Sequence, residues 1–305
     1  MTDGGPSGAM AATRTTTPAP EVAGRATPWL APWVAGATRR LVPLDGRPGR
    51  HAYFRFVGAR RVVALEGSTG LGLPIAITLS RPALTRAMAG RHVTLGHHRL
   101  EIDGHPVPLV CAGDGPPRFG ADAATARRAQ MALNALIAAV PRPEAPPAVW
   151  EAVVRLAAAI ETADDVLAAA ASLIGLGPGS TPAGDDVLAA AAATLTAVAP
   201  GGNDTGRIEH TLTRLRAAIA DCLDRTTPLS AALLEAAAEG HMIPRLARCL
   251  ELLMRGEPAG AAVRALCGVG QSSGHFLAIG AGLGLDAAAG APRRAPCEPA
   301  VAIAG

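Results

Sequence analysis

Residues 175–186 concentrate the residue types that can do chemistry: Gly175-Leu176-Gly177-Pro178-Gly179-Ser180-Thr181-Pro182-Ala183-Gly184-Asp185-Asp186. One helical pattern ends here and another begins. Thr181 is placed to cap the second helix. Pro182 suits its first position, where the missing amide hydrogen would be orphaned anyway. Glycines just upstream admit positive φ and let backbone amides turn inward. Combined with the helix dipole, that turn makes a concave donor surface for phosphate or carboxylate. Gly177, Gly179, Ser180, Thr181 and Gly184 are therefore expected to bind an anion. Asp185 and Asp186 suit the helix dipole but would repel an anion unless a cation or amide donor intervenes. One of them has the chemistry to hold Mg²⁺, to accept from a substrate –NH₂ or to act as a base. Both are candidate catalytic residues.

Two later segments share the design. Arg225-Thr226-Thr227-Pro228-Leu229-Ser230 is a hydroxyl cap followed by proline and a helix. Gly268-Val269-Gly270-Gln271-Ser272-Ser273-Gly274-His275 feeds a helix through serines. Taken singly, each reads as an ordinary helix cap. Together, three such loops can aim their amide-rich ends at one pocket. There Arg225 would clamp an anion bidentately, with Thr226, Thr227, Ser230, Ser272 and Ser273 around it. His275 is the histidine inside these loops and titrates near neutrality if solvated, so it joins the catalytic candidates.

The segments GLGPGSTPAGDD, RTTPLSAALLEAAAEG and GVGQSSGHFLAIG, in that order, resemble the AllH family over about residues 173–283. Its named members are a subunit of oxamate carbamoyltransferase in anaerobic ureide (allantoin) degradation. The resemblance is weaker over the preceding β part, where Gly67-Ser68-Thr69-Gly70 stands in place of a Gly-Pro-Asn-Gly-like turn. The family pattern has a large apolar residue at the position of Ser180 and Ser at that of Ala183. The resemblance implies carbamoyl transfer between oxalurate and phosphate, giving oxamate and carbamoyl phosphate. It also implies partner subunits, one of them similar to acyl-CoA synthetases. Such a transfer needs positioning and charge stabilisation of a tetrahedral species, and no lysine. Two other readings compete. One is a non-catalytic assembly subunit; the other is a small-molecule kinase whose glycine loop binds ATP phosphates.

The elements that must position these loops fall into two regimes. Residues 39–111 carry short β-branched or aromatic runs, at 51–57, 61–65, 75–79, 92–95, 99–102 and 107–111. Asp103-Gly104 between the last two is a hairpin signal. From residue 121 onward the pattern is helical, with helices expected over 121–140, 147–160, 162–174, 182–198, 207–225, 228–239, 243–254, 258–266 and 272–285. Thr162 is the expected cap of the third of these. The expected fold is α+β: a disordered tail (1–22), a smaller β-rich N-terminal domain (23–118) built as a β layer, a larger helical domain (119–290) and a loose tail (291–305).

Composition narrows the chemistry further. All 28 basic residues among the 305 are arginine, which removes phosphate-loop, Schiff-base and general-base lysines. The net charge of +3 is scattered, with no basic stripe interleaved with aromatics, so no nucleic-acid partner is expected. Five separated cysteines in odd number show no zinc spacing, and are expected as buried free thiols in a reducing compartment. No apolar run reaches the roughly 20 residues of a bilayer span, so no membrane partner is expected and the cytoplasm is the expected location.

Overall fold

The computed structural model describes residues 24–44, 51–113, 115–199 and 206–290. The expected tails at 1–22 and 291–305, the glycine-rich punctuation at 201–204 and Cys297 lie outside the described residues.

Among the described residues the N-terminal part holds eight strands: β1 (Gly24–Ala26), β2 (Arg39–Pro43), β3 (His51–Phe56), β4 (Val62–Glu66), β5 (Ala76–Thr78), β6 (Val93–Gly96), β7 (Arg99–Ile102) and β8 (His105–Cys111). They run β1-β5-β4-β3-β2-β6-β7-β8 and close, because β1 pairs with β8 in parallel while also pairing with β5. This corrects the α+β expectation: the strands form a closed barrel, not a β layer with open edges. The strand that closes it, Gly-Arg-Ala, is only three residues long and carries no strand-like composition. Closure leaves no unpaired edge to protect. Leu41, Phe54, Phe56, Leu65, Leu95 and Leu100 are among the barrel residues that are fully or almost fully buried. The Asp103-Gly104 turn has both φ positive and joins β7 to β8, as the hairpin signal predicts. Two short helices, α1 (Ala31–Ala35) and α2 (Arg81–Ala89), belong to this part; Ser80 caps α2.

The rest is helical: α3 (Ala123–Ala138), α4 (Pro147–Thr162), α5 (Val166–Leu173), α6 (Ala183–Val198), α7 (Gly206–Cys222), α8 (Pro228–Ala238), α9 (Pro244–Arg255), α10 (Gly260–Cys267) and α11 (Ser273–Ala289). Thr162 does not cap α5. Its hydroxyl donates back to the Ala158 carbonyl at 3.1 Å, closing the last turn of α4. Ala163 and Asp165, both at positive φ, make the break.

At the centre α6 packs against α11. Of the α6 residues, all but Ala189 are buried. Small side chains bring the two backbones close: a Cβ on Gly280 would stand 2.1 Å from the Val187 carbonyl oxygen, and one on Gly284 2.8 Å from that of Ala191. The alanine-rich composition is the packing requirement of this pair.

Barrel and helices meet directly. Arg61 pairs with Glu235 of α8 at 3.0 Å while its guanidinium lies over Trp29 and Trp33, 5.4 and 5.0 Å from the ring centres. Phe119 N–H donates to the Ala197 carbonyl at 2.7 Å. Among the described residues no helix is long and apolar enough to cross a membrane. The four described cysteines are free, but only Cys249 is buried; Cys111 is exposed, which corrects the expectation of buried thiols.

Candidate functional site

The chain leaves α5 at Ile174 and turns at Gly175, with φ +76°. A Cβ there would stand 2.2 Å from the Arg225 carbonyl oxygen, so only glycine allows this approach of the first loop to the second. Asp185, in the first turn of α6, ties the two loops together. Its Oδ1 accepts from Gly175 N–H at 2.8 Å, and its Oδ2 accepts from the Ser230 hydroxyl at 2.7 Å and from the Thr226 hydroxyl. Burial pushes the Asp185 carboxyl up; the bonds from Ser230, Thr226 and Gly175 oppose this without cancelling it. Both oxygens are committed. Thr227 caps α8 by accepting from Ser230 N–H at 3.1 Å, and its hydroxyl donates to the Ser180 carbonyl.

Asp186 faces differently. About 100° further round the helix, it lines a cavity of about 230 Å³ between barrel and helices. The residue is 8% exposed. The Ser273 hydroxyl bonds to its carboxyl, and Thr181 Oγ1 lies 3.0 Å from Ser273 Oγ. Asp186 Oδ2 is buried and has no hydrogen-bond partner among the described residues. Burial pushes its carboxyl up to about 8; the neighbouring Asp185 adds to the rise and the Ser273 bond opposes it. With its carboxyl pushed up to about 8, Asp186 favours the neutral acid at neutral pH, and the residue lines the cavity.

The structure thus brings Ser180, Thr181, Asp186 and Ser273 to one cavity, from two of the three loops. Thr226 and Ser230 stand behind them, bound to Asp185. Arg225 does not line the cavity: it is exposed, and its Nη1 donates to Cys222 Sγ at 3.7 Å. His275 does not line it either. Buried in the first turn of α11 edge-on to Phe276, it is held below the usual histidine range by burial and then by Arg142. Ser272 stands at the N-cap of α11 without a capping bond.

Thr181 does not cap α6. Pro182 occupies the cap position and the helix begins at Ala183, because the Thr181 hydroxyl is turned to Ser273. One expected anion-binding amide is engaged, since Gly184 N–H donates to Leu176; in the helix starts that follow, the amides of Asp185 and Asp186 donate to Pro182, Gly274 N–H to Val269 and His275 N–H to Ser272. Gly184 has a packing role, since a Cβ there would meet the Leu173 carbonyl oxygen at 2.1 Å. Gly177 and Gly179, at φ +118° and +100°, shape the turn.

Two titratable cavity residues were not singled out by spacing. Tyr53, from β3, is the chain's one tyrosine, and that singularity was its only signal. His241 follows Gly240, which sits at φ +97° just beyond Glu239, the C-cap of α8. It stands one residue beyond the second motif segment. Burial lowers its pKa, with Glu239 acting against and Arg118 with the shift.

The donors present do not fit a magnesium site. Among the described residues no group of three or more His, Cys, Asp and Glu stands together, and Asp185 has no oxygen to spare. Magnesium asks for a near-octahedral oxygen shell.

Residues 173–285 match the family model described as oxamate carbamoyltransferase subunit AllH. The match runs from the last residue of α5 into α11 and takes in Asp185, Asp186, Thr226, Ser230, His241 and Ser273. The barrel, with Tyr53, lies outside it. No curated protein and no solved structure matches the chain.

Proposed function

We propose that this chain is a catalytic subunit of an oxamate carbamoyltransferase-like complex. It acts on a small ureide such as oxalurate, with phosphate or carbamoyl phosphate, in ureide breakdown. Its partners on this reading are other subunits, including an acyl-CoA synthetase-like chain. The observation that carries the proposal is the buried Asp186, a residue that lines the cavity and whose Oδ2 has no hydrogen-bond partner among the described residues, inside the segment that matches the family.

The chemistry follows from the protonation state. A neutral carboxylic acid in an apolar setting is a hydrogen-bond donor already in place. Asp186 donates to the carbonyl oxygen of the bound carbamoyl group as hydrogenphosphate attacks its carbon, and the bond strengthens as that oxygen becomes an oxyanion. The C–N bond to oxamate then breaks, and the hydrogenphosphate proton passes to the departing nitrogen. Asp186 keeps its own proton, so atoms and charge balance between oxalurate plus hydrogenphosphate and oxamate plus carbamoyl phosphate. Ser273 fixes the carboxyl from behind, Thr181 fixes Ser273, and Asp185 holds the loops that carry them.

An assembly role is the second reading. The observation favouring it is that no arginine among the described residues lines the cavity.

The test is carbamoyl phosphate formation from oxalurate by the reconstituted complex. Asp186→Leu should lower the rate about 10²–10³-fold, the usual cost of one oxyanion donor. A rate near that of the unmodified complex would leave Asp186 no part in the chemistry and favour the assembly role.

A further inference from the structure

The cavity walls carry a property that the family description does not supply. Leu71 and Leu73 close it from the β4–β5 connection, Leu229 and Leu233 from α8, Leu246 from α9 and Leu277 from α11. Its polar groups are hydroxyls, His241 and the Asp186 carboxyl; among the described residues no arginine lines it. An anion placed among such walls loses its hydration and meets no opposite charge, which is strongly unfavourable. An uncharged amide loses far less and meets Asp186 among the lining residues, a carboxyl with no hydrogen-bond partner at Oδ2 among the described residues.

We infer that the cavity receives the uncharged carboxamide end of the ligand and keeps oxyanions outside, with leucine walls that accept a small branched substituent. The inference deepens the proposed function and rests on the same cavity. For a ureide it sets the direction of entry, carbamoyl end first, so that the carboxylate and the attacking phosphate stay at the mouth.

The titratable lining groups agree with this. Burial, and then the nearby Glu66, push the Tyr53 hydroxyl up. Burial pushes the Asp186 carboxyl up and the His241 imidazole down. Each shift favours the neutral form, so the cavity presents an uncharged surface at neutral pH.

Isobutyramide and isobutyrate provide the test, since they share shape and differ in charge. Calorimetric titration of the full chain at neutral pH should show isobutyramide binding at least about tenfold more tightly than isobutyrate, with inorganic phosphate not competing. Asp186→Leu should abolish the preference of amide over carboxylate. Leu233→Trp, which fills the space, should abolish amide binding while the chain still melts cooperatively. Equal or tighter binding of isobutyrate, competition by phosphate, or binding of neither compound overturns the inference. The assay needs no turnover: amide binding in a complex that transfers no carbamoyl group would remove the proposed reaction and leave this inference standing.

Discussion

Adjacent aspartates in one helical turn have opposite situations. Asp185 gives both oxygens to three donors and knots two loops, whereas Asp186 keeps one buried oxygen unpartnered. Their substitutions should therefore have opposite effects on stability. Asp185→Ala strands the donors of Gly175, Thr226 and Ser230, and should cost about 3 kcal/mol in urea denaturation. Asp186→Asn keeps the acceptor for Ser273 and removes a group whose charged form the fold disfavours. A folded pKa of about 8 lies above the ordinary aspartate value of 3.8, so the stability linked to the Asp186 proton is complete at acid pH. It is lost as pH rises between those values and through 8. Asp186→Asn should accordingly melt higher than the unmodified chain at pH about 8, with the gap narrowing toward acid pH. The sequence made both residues visible but not their division of labour, which depends on which side of α6 each faces and on partners more than 40 positions away.

At the scale of elements, the central device is the close approach of α6 and α11, which carry Asp186 and Ser273. Gly280 and Gly284 let the helices meet backbone to backbone. Gly280→Ala would drive a methyl into the Val187 carbonyl and force the helices apart. It should cost about 1–3 kcal/mol and loosen the Ser273–Asp186 contact, read as a fall in melting temperature and a shifted Asp186 titration. Helix positions were legible because apolar period and proline–glycine punctuation are local signals. The caps of α5 and α6 were misread because Thr162 and Thr181 spend their hydroxyls elsewhere: one bonds back within its own helix, the other reaches across to α11. A short-range pattern carries no record of such competition.

At the scale of the molecule, the barrel is part of the site. Tyr53 and the connection from Glu66 to Ala76 wall the cavity, although the family match begins only at residue 173. Glu66 shapes that connection by accepting from the Gly72 and Leu73 amides at 2.8 and 3.4 Å. Six of the eight strands were legible from β-branched and aromatic runs, but closure was not, since it depends on the Gly24–Ala26 pairing with both β5 and β8. The motifs suggested three loops around one pocket; Thr181 and Ser273 line one cavity, and Arg225 does not. The exclusion of Arg225 and His275 could come only from the packing. The central claim is that Asp186 works as a neutral acid among these walls, and the pH dependence of carbamoyl phosphate formation by the reconstituted complex tests it most directly. The rate of the unmodified complex should hold through neutral pH and fall as pH passes about 8, where Asp186 ionises and stops donating. Asp186→Asn, which retains a donor that cannot ionise, should keep measurable activity without that fall. An unchanged fall in Asp186→Asn, or a rate that climbs through pH 8 in the unmodified complex, would contradict the account.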